Sequence, residues 1–351
     1  MTLTSVACGE SGDPAYLVKD LRVLAVQANP PEVLYDAPSD ASLSFTALVV
    51  DPQGASIDYR WSLCPVESNE ACLDYEARKD NAPAAFHAAL DDMHAIAASG
   101  SALPIPESQG LPPIETATRA VWSYDVATFN VTAPRALYDY HLQSSFFGAG
   151  LGAWPSAVLE LTSASQTLRV GKRVVINAAH SDVYADALGI TVCPDPDVPD
   201  EPPGCVPLRP RVANNNPTFA EVQIAYGKSA LGTFEPLVGT AEVSAGASIR
   251  LLPVLGPDAY ESYQVLKVDL ESLAIFVEDR VEAPSVSWFC SDGEIQEQLT
   301  WVKFTRGLDT IFTAPKTPPT DSDGLVTVWL VARDERGGVG WQNIEIHVSP
   351  E

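Results

Sequence analysis

The chain has 351 residues, 46% of them hydrophobic, with a mean hydropathy of +0.03 and a formal net charge of −25 at pH 7. That length accommodates two ordinary domains with separate cores, and that apolar content excludes a wholly disordered polymer. The acidity is spread evenly, 10 basic and 21 acidic residues over positions 1–185 against 11 and 25 over 186–351, and it excludes phosphate backbones and anionic bilayers as partners.

Met1 to Cys8 ends in Val6-Ala7-Cys8 and is followed by Gly9-Glu-Ser-Gly-Asp13. Small residues before a cysteine and a polar stretch after it resemble the end of a bacterial lipoprotein signal, with Ser5 departing from the usual aliphatic. The resemblance implies lipidation of Cys8, with residues 1–18 as a tether. Elsewhere no apolar run reaches the roughly 18 residues that a membrane-spanning helix needs.

A first domain is expected over 19–178. Leu21, Val23 and Ala25 alternate in a strand closed by Asn29-Pro-Pro31, and Leu43, Phe45, Ala47 and Val49 alternate in a second. Asp51-Pro-Gln-Gly54 has proline and glycine where a tight turn favours them, so Ile57–Leu63 returns with Trp61 between two sheets. About residues 70–118 read as a helical insertion. Its helix, 83–97, has Pro83 in the first turn and Phe86, Leu90, Met93 and Ala97 as one apolar stripe. A second short helix is expected over 135–147.

The segment Cys193-Pro-Asp-Pro-Asp-Val-Pro-Asp-Glu-Pro-Pro-Gly-Cys205 is acidic and proline-stiffened, and within 179–213 it reads as a spacer between domains. Close spacing without Cys-x-x-Cys favours two short-loop disulfides, Cys64–Cys72 and Cys193–Cys205, over a zinc site. Such bonds point to an oxidising compartment outside the cytoplasm. Cys290 has no near partner and reads as a buried thiol. The second domain, 214–351, is expected to hold strands at 220–225, 247–254, 263–268, 274–277, 286–289, 302–304, 310–313, 326–332 and 341–348, and one more strand is expected over 185–192, just before the cysteine loop. Many short strands between turns describe a mainly β chain of two sandwiches.

One three-part pattern occurs twice. Tyr59-Arg-Trp61-Ser-Leu-Cys64, then Phe129-Asn-Val-Thr-Ala-Pro134, then the pair 157–162 and 168–176 form the first copy. Val286-Ser-Trp288-Phe-Cys290, Ile311-Phe-Thr-Ala-Pro315, and the pair 325–331 and 343–348 form the second. From tryptophan to proline the first copy spans 73 residues and the second 27, which places the insertion. Duplication of a β unit makes a non-enzymatic array of modules the leading reading.

Ser287-Trp-Phe-Cys-Ser-Asp-Gly293, together with Thr327-Val-Trp-Leu-Val-Ala-Arg-Asp334-Glu-Arg-Gly337-Gly338-Val-Gly-Trp341, resembles a polycystic-kidney-disease-type (PKD) or bacterial Ig-like domain. The resemblance spans about 60 residues of the second half and is weaker in the first. It implies tandem Ig-like β-sandwiches serving as spacers, adhesion modules, or protein- or carbohydrate-binding units in a bacterial envelope. Outer membrane, periplasm and cell surface are the compartments it implies, with membrane contact only through the lipid.

Three constellations carry possible chemistry. His87, Asp91 and His94 share a face of the inserted helix at metal-ligand spacing, but the neighbouring apolar stripe makes them its solvated margin. Asp321, Asp323 and Asp334 are calcium candidates near hairpins, where turns also select aspartate for backbone reasons. Asn130-Val-Thr132 fits a glycosylation acceptor but falls inside a strand. The five histidines are scattered, and no nucleophile elbow or phosphate-cradling loop is present. No catalytic residue is assigned. The function expected is non-enzymatic binding or scaffolding of a protein or glycan partner. A calcium-stabilised adhesion or carbohydrate-binding module is the alternative, and an enzyme with an inter-domain site is third.

Overall fold

The computed structural model describes residues 14–35, 41–54, 57–64, 120–122, 126–133, 156–163, 166–178, 190–197, 202–227, 232–268, 275–305 and 307–350. Both expected helices lie outside these residues, as do Cys8, Cys72, His87, Asp91 and His94. Among the described residues the chain is mainly β, with no α-helix.

In the first half, β1 (Arg22–Asn29), β3 (Ala41–Val50) and β6 (Val126–Ala133) form an antiparallel sheet in the order β1-β3-β6. A second sheet has the order β5-β4-β7-β8, from β4 (Ile57–Cys64), β5 (Ala120–Trp122), β7 (Ser156–Thr162) and β8 (Thr167–Arg173). β2 (Glu32–Tyr35) pairs in parallel with β9 (Val175–Ala178). Leu43, Phe45 and Ala47 of β3 meet Trp61 of β4 and Leu159 and Leu161 of β7 in one core. The indole of Trp61 is fully buried, 6.1 Å from the ring of Phe45. The alternation that makes these strands amphipathic is what closes the two sheets on each other.

The second half repeats this order. β10 (Phe219–Tyr226), β13 (Ser248–Leu255) and β19 (Thr310–Thr313) stand as β1, β3 and β6 do, extended by β11 (Glu235–Pro236) and β17 (Glu294–Ile295). The facing sheet runs β12-β21-β20-β16-β18, from β12 (Ala241–Ser244), β16 (Ser285–Cys290), β18 (Leu299–Trp301), β20 (Leu325–Arg333) and β21 (Val339–Ser349). β16, β20 and β21 correspond to β4, β7 and β8, and β12 lies parallel to β21 as β2 does to β9. Trp288 sits in β16 where Trp61 sits in β4, also fully buried, and its Nε1 donates to Thr300 Oγ1 at 2.9 Å. A hairpin of β14 (Ser262–Val268) and β15 (Ile275–Val281) is inserted between β13 and β16.

Several expectations are corrected. The strand placed at Val302–Phe304 is a turn, and its neighbour Leu299–Trp301 is the strand instead. Trp301 Nε1 donates to the carbonyl of Ala283 at 2.7 Å, and the Phe304 amide returns to the carbonyl of Trp301 at 2.8 Å, so the chain leaves the sheet there. In β1 the register shifts between Val23 and Ala25, which breaks the simple alternation and buries residues on both faces. Of the strand expected over 185–192, only 190–192 are described, and Val192 makes an isolated bridge to Val206. The tether is not free as far as residue 18. Tyr16, Leu17 and Val18 dock beside Cys290, whose amide donates to the Tyr16 carbonyl and whose carbonyl accepts from the Val18 amide, each at 2.9 Å. The linker also does not hold the two halves apart, because they share a third apolar cluster.

Candidate functional site

That third cluster is the floor of a joint between the halves. Leu24 and Ala25 of β1 and Leu48 and Val50 of β3 pack with Trp329 and Val331 of β20, Val339 of β21 and the fully buried Val18. β20 therefore buries both faces: Val326, Val328, Leu330 and Ala332 enter the second core, while Trp329 and Val331 enter the joint. A strand covered on both sides reads as a continuous apolar run, and Val328-Trp-Leu-Val-Ala332 is one.

Hydrogen bonds cross the same seam. Gln27 Nε2 donates to the Val339 carbonyl at 2.6 Å, and Arg333 Nη2 to the Leu24 carbonyl at 3.1 Å. Asn216, at the start of the second half, donates through Nδ2 to the Ala28 carbonyl at 2.7 Å and, within its own half, accepts from the Val339 amide at 2.9 Å. Lys172 of β8 donates to the carbonyl of Gly337 in the β20–β21 turn. Burial lowers the Lys172 ammonium to about 8, with Asp334 opposing the shift.

One end of the joint holds a buried ionic cluster. Glu32 of β2 is 2% exposed and accepts from Asn177 Nδ2 at 2.5 Å, Arg211 Nε at 2.7 Å, the Asn214 amide at 3.0 Å and Arg336 Nη2 at 3.3 Å. Those donors come from the first half, the linker and the second half, so a single carboxylate ties three segments together. Arg336 projects from the β20–β21 turn and is 10% exposed. It also lies 3.2 Å from Glu282 Oε1 and 3.7 Å from Glu261 Oε2, with its guanidinium 5.3 Å from the centre of the Tyr263 ring. Three carboxylates thus share one guanidinium. Glu282 is fully buried, and its Oε1 has no hydrogen-bond donor among the described residues. Burial, then the Asp334 charge, push its carboxyl up to about 7, against the opposing pull of Arg336.

The residues singled out from sequence fall in several places. Trp61 and Trp288 centre the two cores. Cys193 and Cys205 are bonded to each other and both are buried. Cys290 is a buried free thiol, pushed up to about 12 by burial. Cys64 ends β4, and its proposed partner Cys72 lies outside the described residues. Asp321 and Asp323 sit together in the exposed turn before β20, with Asp323 at φ 54°. Asp334 is elsewhere, and its carboxylate is committed to the joint. Oδ1 accepts the amides of Arg336 at 2.8 Å and Gly338 at 2.7 Å, and Oδ2 accepts Asn214 Nδ2 at 3.1 Å. The structure therefore does not gather the three calcium candidates. Among the described residues no group of three or more His, Cys, Asp or Glu side chains is placed to hold a metal ion.

Sequence reasoning missed the joint and its ions. Glu32 and Arg336 are ordinary charges in a chain with 46 acidic residues, and nothing in their spacing links them. The runs Ala47–Val50 and Val328–Ala332 were the available signal, because neither alternates as a half-solvated strand would.

No family model and no curated protein matches the chain. Solved structures with partial similarity include a nucleoside hydrolase-related hypothetical protein from Saccharophagus degradans associated with carbohydrate metabolism (14% identity, 39% of this chain, 26% of that one, TM-score 0.22). Escherichia coli alpha-2-macroglobulin activated by porcine elastase matches at 9% identity over 94% of this chain and 22% of its own, with TM-score 0.25. An endo-fucoidan hydrolase of glycoside hydrolase family 107 matches at 9% identity over 66% of this chain and 22% of its own, with TM-score 0.20. The chain spans about a quarter of the length of each of these proteins.

Proposed function

We propose that this chain is a non-enzymatic, extracytoplasmic binding or scaffold protein built from tandem Ig-like, PKD-type domains of a bacterial envelope. One observation supports the reading above the others: one strand order and one pairing scheme occur twice, each around a buried tryptophan. Repeated sandwiches of this kind act by offering loops from a stiff frame. The buried disulfide and the sequence resemblance favour an oxidising compartment. Among the described residues no helix is long and apolar enough to cross a membrane. In this reading a lipid on Cys8 tethers the frame, and the segment near 70–118 with neighbouring loops faces a protein or glycan partner.

The joint adds a mechanical element, since two sandwiches fixed to each other present their loops at one set angle. Deleting residues 76–115 is the test. The shortened chain is expected to melt at the parent temperature and to lose the partner that the parent chain cross-links in its native envelope. Unchanged cross-linking would refute a presenting role for the insertion. The mass of the mature N-terminal peptide tests Cys8 separately: a diacylglyceryl adduct is expected, and an unmodified thiol in an intact leader would contradict it.

A further inference from the structure

Arg336 is the cation at the centre of the cluster. It answers carboxylates from both halves, Glu32 across the joint and Glu261 and Glu282 within its own half. Asp334, two residues earlier, adds a fourth negative charge. The compensating cations are Arg336, the more exposed Arg211 on Glu32, and Lys172 beside the turn. With every group ionised the buried cluster carries excess negative charge, which a low-dielectric site disfavours.

The hydrogen bonds show which carboxyl relieves the excess. Glu32 has four donors. Asp334 has three, two of them backbone amides. Glu261 accepts the backbone amide of Asn215 at 3.1 Å and its side-chain Nδ2 at 2.6 Å. Glu282 has one long hydrogen bond, the Glu261 amide at 3.4 Å on Oε2, while Oε1 faces Arg336 Nε at 3.2 Å as an ion pair without a formed hydrogen bond. It is the most buried of the four and the least served.

We propose that the cluster is a proton-controlled clasp, in which Glu282 competes with Glu32 for Arg336 and protonation of Glu282 tightens the contact between the halves. A neutral Glu282 leaves the guanidinium charge to Glu32, which is the cross-joint bond. An ionised Glu282 draws that charge back into the second half and adds a buried anion with few hydrogen-bond donors. The groups facing Glu282 are Glu261 ahead of β14, Tyr263 on β14, and Asp334 and Arg336 in the β20–β21 turn. Glu32 of β2 reaches it through Arg336.

The carboxyl pushed up to about 7 agrees with this arrangement and sets the window. Glu282 holds its proton more tightly in the closed joint than in water. Its contribution to closure is therefore fully present below the ordinary value of 4.5, and it is lost as pH rises through about 7. Lys172 acts with the opposite sign in a higher window. Lowered to about 8, it favours closure increasingly as pH rises from there toward its ordinary 10.5. The clasp is weakest between these windows.

The test is hydrogen exchange at the amide of Asn214 in the full chain, which is bonded across the joint to Glu32, from pH 4.5 to 7.5 with correction for intrinsic exchange. The opening constant is expected to rise on the order of a hundredfold in the native sequence. In Glu282→Gln it is expected to stay flat at the level the native chain shows at low pH. A flat native profile, or a slope kept by Glu282→Gln, would overturn the proposal. Should that variant fail to fold, carboxyl-carbon NMR of glutamate in the unmodified chain decides. A Glu282 midpoint near 7 is expected, and one near the ordinary carboxylate value overturns it.

Discussion

At the scale of single residues, Trp288 is fully buried and its polar atom is satisfied inside the core. Trp288 Nε1 reaches Thr300, whose hydroxyl also meets the Leu308 carbonyl at 3.0 Å, so one hydroxyl serves an indole and a main-chain acceptor. Thr300→Val keeps the shape and strands both groups, and it is expected to lower stability by about 1–3 kcal/mol in urea unfolding. A loss below about 0.3 kcal/mol would show the pair to be incidental. Arg336 has the larger effect. Arg336→Met strips Glu282 and Glu261 of the cation they share and leaves Glu32 to Arg211 alone, so a loss of about 3–5 kcal/mol is expected by the same measurement. Chemical denaturation at pH 7 should therefore rank Arg336→Met below Thr300→Val.

At the scale of elements, most strands were legible from sequence because each buries one face. Leu43, Phe45 and Ala47 alternate into the first core just as Ile249 and Leu251 do into the second. β11, β12 and β17, of two to four residues, have no period to read and were not foreseen. The stretch Val302–Phe304 has strand composition, but a hydrogen bond from Trp301 to a distant carbonyl decides its path. The Gly340 position in β21 is set by a contact that sequence cannot show. A Cβ there would stand 1.9 Å from the Pro217 carbonyl oxygen, so the segment leading into β10 lies directly on the strand. Gly340→Ala is expected to displace one from the other, at about 1–3 kcal/mol, and to increase proteolysis between 206 and 217. The disulfide acts just upstream: Cys193→Ser with Cys205→Ser frees a loop of sequence separation 12 and should cost about 3 kcal/mol in the loop-entropy model.

At the scale of the whole molecule, duplication was readable and union was not. The repeated Trp, Ala-Pro and strand-pair order survives as repeated strand order, because each copy needs the same core to close. How the copies meet depends on the outer faces of β1, β3, β20 and β21, and outer faces have no signature beyond unbroken apolar runs. Leu48→Asp puts an unpaired charge opposite Trp329 and Val331, and it is expected to split one calorimetric transition into two while each half keeps its own core. The ionic cluster was invisible for a related reason: Glu32 and Arg336 are 304 positions apart, and only folding brings them together.

The halves form one body across this joint. Residual dipolar couplings of backbone amides in the full chain, measured in one aligning medium at pH 5, test it directly. A single alignment tensor fitted jointly to amides of β1–β9 and β10–β21 is the predicted result. Two tensors of different orientation or magnitude, one for each half, would contradict it.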